Sequence, residues 1–405
     1  MQKRVVITGM GAVTNIGIGV EKYWNALLAG ECGITDLKYI DPANNPFKTT
    51  KEGTIQDFNP ADYFDKEHIL KAGRASQMAL KAAAESIQSA GIQLKEKNYN
   101  IGVAFGTTLG EAQEIEKFDD AFLAKSQDPS LWQISTNVFQ NRIANIIASE
   151  YNLNGNCCLI SNACSAANFC IGTAFEYIRS GKVDAMVIGG SDSFSRMTYT
   201  GFARLNSVAA VFPKPFSFDR DGMMPAEGAG ALFVESLESA QKRKADILAE
   251  VLAHSTSCDS HHITQLNRDG LVLAYQNALK FSGIKPQDVS YISPHGTGTL
   301  LNDTTEVSAL WTVFGEHLSK IPLSSVKSSL GHSMGAASAL EAIVSVLAIR
   351  DQKIPATIHF SKLDESMGDI DIVPNKSREH KVDIVFECAS GFGGNNSVII
   401  FKKFD

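Results

Sequence analysis

Cys164 stands among small residues in Ser161-Asn162-Ala163-Cys164-Ser165-Ala166-Ala167-Asn168. Two histidines follow far downstream, in Pro294-His295-Gly296-Thr297-Gly298-Thr299 and in Lys327-Ser328-Ser329-Leu330-Gly331-His332. A thiol can accept an acyl group as a thioester, and imidazoles beside an ammonium can stabilise charge that develops on a second substrate. Together these groups point to acyl transfer followed by carbon-carbon chemistry; no one motif carries that reading alone.

The elements around these residues place them well for such work. Cys164 follows the strand-like run Cys157–Ile160 and precedes a stretch of helical composition over 165–180. A thiol at that turn would meet the helix N-terminus, which favours the thiolate. Taken by itself, Cys164 is as readily a structural thiol as a reactive one, and Cys157, Cys158 and Cys170 are read as buried structural cysteines. His295 comes just after a strand expected over 289–293, and His332 just before a helix beginning near Ala336. Two histidines in glycine-rich loops, both in the half opposite the cysteine, suggest a site shared between halves. Zinc is a poor alternative: there is no C-x-x-C pair, His261 and His262 are adjacent, and Lys327 puts an ammonium beside His332.

Short, non-alternating apolar runs at 5–7, 101–105, 185–188 and 231–234 suit strands covered on both faces. Between them, 69–90 reads as a helix closed by Gly91. The second half repeats the alternation, with strands over 247–254 and 289–293, helices over 271–281 and 336–350, and final strands over 384–388 and 396–401. Strands alternating with helices across both halves imply an α/β layered fold. A boundary is expected near residue 245, at Gln241-Lys242-Arg243-Lys244, dividing the chain into 1–245 and 246–405. The glycines of Gly9-Met10-Gly11 and Gly189-Gly190 read as turns after strands; the third glycine of a dinucleotide loop is missing.

The 405 residues carry a formal charge of -7, which offers no basic field for a nucleic-acid backbone. Lys66, Lys71 and Arg74 form a local basic group that either attracts an acidic partner or is a solvated helix face. Seven cysteines, several in apolar surroundings, fit a reducing, cytoplasmic compartment. The longest apolar helical segment, 336–349, contains Glu341 and is too short to span a bilayer, so no membrane role is expected.

Across essentially its whole length the chain resembles the β-ketoacyl-[acyl carrier protein] synthases of the synthase II type and the related polyketide ketosynthases. The likeness rests on Val6-Ile7-Thr8-Gly9-Met10-Gly11, Asn162-Ala163-Cys164-Ser165, Phe218-Asp219-Arg220-Asp221-Gly222, Glu227-Gly228-Ala229-Gly230, His295-Gly296-Thr297-Gly298-Thr299, Lys327 with Gly331-His332, and Gly391-Phe392-Gly393-Gly394. It implies a thiolase-like fold of two duplicated α/β halves in a five-layer αβαβα arrangement. It also implies a homodimer, or a heterodimer with a ketosynthase-like subunit, acting on substrates carried on the phosphopantetheine of an acyl carrier protein, with no other cofactor. By the same resemblance Cys164 is the nucleophile, His295 and His332 stabilise the enolate of a decarboxylating malonyl group, and Lys327 holds His332 with Glu306 as its partner. The N–H groups of Cys164 and Phe392 form an oxyanion hole, and Phe392-Gly393 gates the acyl chain. A second gating loop contains Asp259 and Thr264, while Thr297 and Thr299 bind the pantetheine arm.

Departures from the family pattern concern substrate more than reaction. Asn395 follows Gly391-Phe392-Gly393-Gly394, Asn302 precedes Asp303, Asn137 and Val138 align with a bulkier acyl-pocket wall, and Ile69 and Leu70 replace basic carrier-docking positions. The pocket-wall and docking changes, with the Asn162-Ala163-Cys164 context, lean toward polyketide or specialised fatty-acid synthesis over housekeeping elongation. A partner subunit without catalysis is disfavoured by Cys164, His295 and His332, although the active half of a heterodimer stays open. A degradative thiolase would need a second cysteine, for which only Cys388, beside the Gly391-Phe392 loop, is a candidate.

Overall fold

The computed structural model describes residues 2–41, 45–94, 99–129 and 131–404. Its first half supplies strands β1 (Val5–Thr14), β2 (Ile101–Gly106), β3 (Cys157–Ile160), β4 (Ala185–Asp192) and β5 (Gly228–Ser236). Its second half supplies β6 (Ala249–Cys258), β7 (Tyr291–Ser293), β8 (Pro322–Leu323), β9 (Ile384–Gly391) and β10 (Asn395–Lys402). The spatial orders are β3-β2-β4-β5-β1 and β8-β7-β9-β10-β6. Counted within its own half, each set of five therefore runs 3-2-4-5-1, and a two-residue strand, Asp371–Ile372, pairs in parallel outside β8. In both, the first three strands in space pair in parallel and the last two pairings are antiparallel. Shared order with shared strand directions is the mark of one unit used twice. The two sheets meet where Val5 and Ile7 of β1 pair with Val251 and Ala249 of β6.

Helices fill three layers around these sheets. Helix α1 (Arg74–Ala90) packs outside the first sheet, in a core that includes Met78, Ala82, Val103 and Phe233. Helices α2 (Ala166–Arg179) and α5 (Ala337–Asp351) lie between the sheets, where Ile171, Phe175, Ile343 and Leu347 share one core with strands of both halves. Helices α3 (Arg268–Ser282) and α4 (Leu300–Phe314) cover the outside of the second sheet through Leu271, Tyr275, Val307 and Leu310. Every residue of α5 from Ala337 to Ile349 is buried, as expected of a helix apolar on all sides and sandwiched between sheets. The result is the five-layer αβαβα arrangement of a thiolase-like fold.

Three local expectations change. The helix expected over 69–90 is two, Glu67–Leu70 and α1, because Glu111 accepts the first free N–H groups of α1 from Ala75 (3.1 Å) and Ser76 (2.7 Å). Gly9 and Gly11 lie within β1 rather than in a turn after it. A Cβ on either would come within 2.1 or 1.9 Å of the Ser86 or Ala82 carbonyl oxygen, so these glycines let α1 approach the strand closely. Gly189 and Gly190 are likewise inside β4.

The basic residues at 66–74 each take part in an ion pair, with the Lys66 and Lys71 side chains still 51% and 53% exposed. Lys66 pairs with Glu150, Lys71 with Glu67, and Arg74 with the buried Glu227.

Candidate active site

Cys164 occupies a tight 3-10 turn, Ala163–Ser165, between β3 and α2, with Ala163 at φ 49°. The Ser165 hydroxyl lies 3.0 Å from both the Asn162 and Asn395 carbonyl oxygens, tying the turn to the start of β10 in the other half. A Cβ on Gly391 would sit 3.0 Å from the Asn162 oxygen, so the loop before Phe392 presses against the same turn.

His295 follows β7, and its loop is fastened by the first turns of α4. Glu306 accepts the N–H groups of His295 (2.7 Å) and Gly296 (2.9 Å), and Asp303 accepts those of Thr297 (3.1 Å) and Gly298 (3.2 Å). Glu306 is therefore not the partner of Lys327: both its oxygens hold backbone donors. Lys327 pairs with Glu341, which rises from the central helix α5, and donates to the His295 carbonyl oxygen at 2.6 Å. An acid on an otherwise apolar helix was the available sequence signal for this pair.

His332 is set by its own backbone, donating its N–H to the Met224 carbonyl oxygen (2.6 Å) and accepting from Ala226 (3.0 Å). Asp192 at the end of β4 was missed in the sequence. It accepts the Gly335 N–H (2.7 Å), the Thr107 hydroxyl (2.7 Å) and the Thr108 and Leu109 N–H groups (2.7 and 3.0 Å), clasping the loop after His332 to the loop after β2.

These elements bring Cys164, His295 and His332 to one cavity of about 330 Å³, with Thr297, Thr299 and Phe392 also in its wall. The two imidazoles stand edge to face with ring centroids 5.4 Å apart. The Thr297 and Thr299 hydroxyls lie 3.0 Å from each other. Lys327, Glu306, Asp259 and Gly393 support the wall rather than form it.

Burial governs the charges. It pushes the Cys164 thiol up to about 12, against a smaller lowering by Lys327. The expected thiolate is thus absent at rest. A helix N-terminus is worth at most about 2 kcal/mol, and each pK unit of opposing desolvation costs about 1.4 kcal/mol. Burial, followed by the Lys327 ammonium, holds both His295 and His332 well below the usual imidazole value, so both rings are neutral.

The two expected gating segments are tied to each other. Gly393 donates to the Ile263 carbonyl oxygen (2.7 Å) and Asp259 to that of Gly394 (2.9 Å). The Asp259 carboxylate in turn accepts from the Asn267 N–H (2.8 Å) and the Asn396 amide (2.6 Å). The Phe392 ring is partly exposed beside Phe202, centroids 5.3 Å apart, and Thr264 lines the cavity next to Ile263.

Other expected residues lie elsewhere. Asn137 donates to the Lys71 carbonyl oxygen (2.7 Å) and to Glu114 (3.1 Å), and neither it nor Val138 borders this cavity. Cys388 is buried in the outer core of the second sheet, away from the cavity, which removes the candidate second cysteine of a thiolase. Cys170 is buried, but Cys157 is exposed and Cys158 half-buried, because β3 forms the edge of its sheet.

The family model for the β-ketoacyl synthase N-terminal domain matches residues 2–240, and that for the C-terminal domain matches 248–361. The chain belongs to the β-ketoacyl synthase family. A 3-oxoacyl-[acyl-carrier-protein] synthase 2 of Coxiella burnetii is 35% identical over 99% of both chains. One from Synechocystis is 34% identical over 100% of this chain and 99% of its own. Among solved structures, the ishigamide ketosynthase/chain length factor is 36% identical with TM-score 0.94, each chain covered fully. A type II polyketide ketosynthase, bound to the hexaketide and in complex with its acyl-carrier protein, is 30% identical with TM-score 0.91, again over both chains in full. The protein is an acyltransferase, a β-ketoacyl synthase of fatty-acid or polyketide biosynthesis. For a β-ketoacyl synthase the arrangement is apt, since two neutral imidazoles facing a thiol can donate hydrogen bonds to a developing enolate without first losing a proton.

Proposed function

We propose that Cys164 accepts the acyl group from a phosphopantetheinyl carrier protein and that His295 and His332 then stabilise the enolate formed when a malonyl carrier loses carbon dioxide. The observation that carries this reading is the convergence of one thiol and two imidazoles from opposite halves on one cavity. During loading, the thiol hydrogen passes to the departing carrier sulfur as the new thioester forms. The enolate carbon next attacks the Cys164 thioester, whose oxygen would face the N–H groups of Cys164 and Phe392. Lys327 steadies the His295 loop through its carbonyl oxygen, and Glu306 steadies it through two N–H groups. Thr297 and Thr299 present hydroxyls suited to the amides of a pantetheine arm, while the cross-tied loops around Phe392 and Asp259 control entry. Incubation with acyl and malonyl carriers should yield a ketoacyl carrier. Normal acyl loading by Cys164→Ala would overturn the nucleophile assignment.

The pathway we favour is polyketide or specialised fatty-acid synthesis in a reducing cytoplasm. The polyketide ketosynthases among the structural relatives support the pathway, and seven unpaired cysteines support the compartment. The functional halves divide near residue 245, between the helix Leu237–Lys242 and β6. A second ketosynthase-like subunit fits the free edge of β3, whose residues are exposed or half-buried while the neighbouring β2 is buried throughout. Mass measurement of the purified protein with its co-purifying chains distinguishes a homodimer from a heterodimer.

A further inference from the structure

The reaction consumes one proton per turnover. An acyl thioester and a malonyl thioester carboxylate become a ketoacyl thioester, carbon dioxide and one free carrier thiol, and charge balances only if one proton is taken up. Loading needs none, because the Cys164 proton moves to the departing sulfur. In condensation the bond from the acyl carbon to the Cys164 sulfur breaks, and the sulfur keeps the electron pair as a thiolate. Such a thiolate is strongly disfavoured here by burial and must regain a proton before the next acyl group arrives. Both imidazoles rest neutral, and the Lys327 ammonium is engaged by Glu341 and the His295 carbonyl oxygen.

Behind the cavity is an acid that these steps leave unused. Glu387 lies on β9 opposite Ser293 of β7, two residues before His295. It is fully buried, and its carboxyl group faces the Asn168 side-chain amide without a well-formed hydrogen bond. Around it, Asn168 on α2 has both amide atoms unpartnered, and Glu341 on α5 has one oxygen unpartnered. Lys327, Tyr291 and Cys388 complete the titratable groups whose charges it feels. An ion buried without donors costs several kcal/mol. One ammonium compensates one carboxylate, and Glu341 already holds Lys327. Burial, with Glu341 adding to it, raises Glu387 well above the usual carboxyl range.

We propose that Glu387 rests as a neutral carboxylic acid and stores the proton that returns the Cys164 sulfur to a thiol after condensation, acting through the neighbouring Lys327–Glu341 pair. The proposal rests on Cys164 being the acyl-bearing residue. In the step an O–H bond of Glu387 breaks and an S–H bond forms at Cys164, and the resulting carboxylate takes up one proton from the solution between turnovers. Glu387 touches no reacting atom and is a positioning residue for the proton.

Rapid-quench kinetics of Glu387→Gln separate this role from a structural one. Acyl loading and the first condensation should stay within about twofold of the unmodified enzyme, while reloading of Cys164 slows at least about tenfold. Reloading should recover with added small weak acids and fall as pH rises, and Glu387→Asp should retain most of the turnover. Equal losses in loading and reloading, or unchanged turnover, would overturn the proposal. Infrared spectra of the unmodified enzyme give a test that survives a folding failure of the variant. At about pH 9 Glu111, Glu306 and Glu341, each raised only to about 7, are ionised, and a protonated-carboxyl band should remain. Its absence also overturns the proposal. Failure of the unmodified enzyme to load Cys164 would instead remove the nucleophile assignment.

Discussion

Lys327 and Glu341 form an ion pair with only 2% and 3% of their side chains exposed, and the same ammonium reaches the His295 carbonyl oxygen. Removing one partner of a buried pair leaves the other charge unpaired, which costs about 3–5 kcal/mol. Glu341→Ala should therefore lose about that much in urea unfolding and should lower decarboxylation more than Glu341→Gln, which keeps an acceptor for Lys327. Equal stability of Glu341→Ala and the unmodified enzyme would show that the pair does not hold the site together.

Cys164 reactivity should follow its thiolate fraction. With the thiol raised to about 12, alkylation by iodoacetamide should climb about tenfold per pH unit from pH 7 to 10 with no plateau. A plateau near pH 7 would mean that a thiolate is already present at rest.

Stability should rise as pH falls from about 8.5 to 6.5 and more shallowly below, where Glu387, Asp192 and Asp303, all raised in the fold, continue the gain. Glu111, Glu306 and Glu341 are each raised from 4.5 to about 7, so the folded chain binds more protons than the unfolded one across that interval and gains stability as pH drops. Below 6.5 the unfolded histidines take up protons that His295, His332 and His254, the last lowered to about 4, refuse in the fold, which opposes the gain. Asp364, lowered to about 2 by Arg220, acts only at more acid pH. Thermal midpoints between pH 5 and 9 check this shape, and Glu306→Gln should flatten the rise on the alkaline side.

Asp192 offers a sharper structural test. Asp192→Ala leaves the Gly335, Thr108 and Leu109 N–H groups without their acceptor, and each buried unpaired group costs about 1–3 kcal/mol. The variant should unfold at markedly lower urea and, where folded, lose condensation more than Cys164 loading, because His332 precedes the released loop. A variant as stable and active as the unmodified enzyme would refute the clasp.

Local pattern determined much of this protein. Continuous apolar runs marked strands buried on both faces, Gly91 marked the end of α1 at φ 64°, and the small residues around Cys164 marked a turn between strand and helix. The residue types at 164, 295, 327, 332 and 392 determined the reaction class. Burial and long-range pairing were decided only by the tertiary fold. It gave Lys327 to Glu341 rather than Glu306, closed the 66–74 cations into ion pairs, and returned Gly9 and Gly11 to the interior of β1. It also buried Cys164, which favours the thiol over the thiolate, and set Glu387 between the sheets. Desolvation depends on which side chains surround a group, and those neighbours come from distant segments that no local spacing reveals.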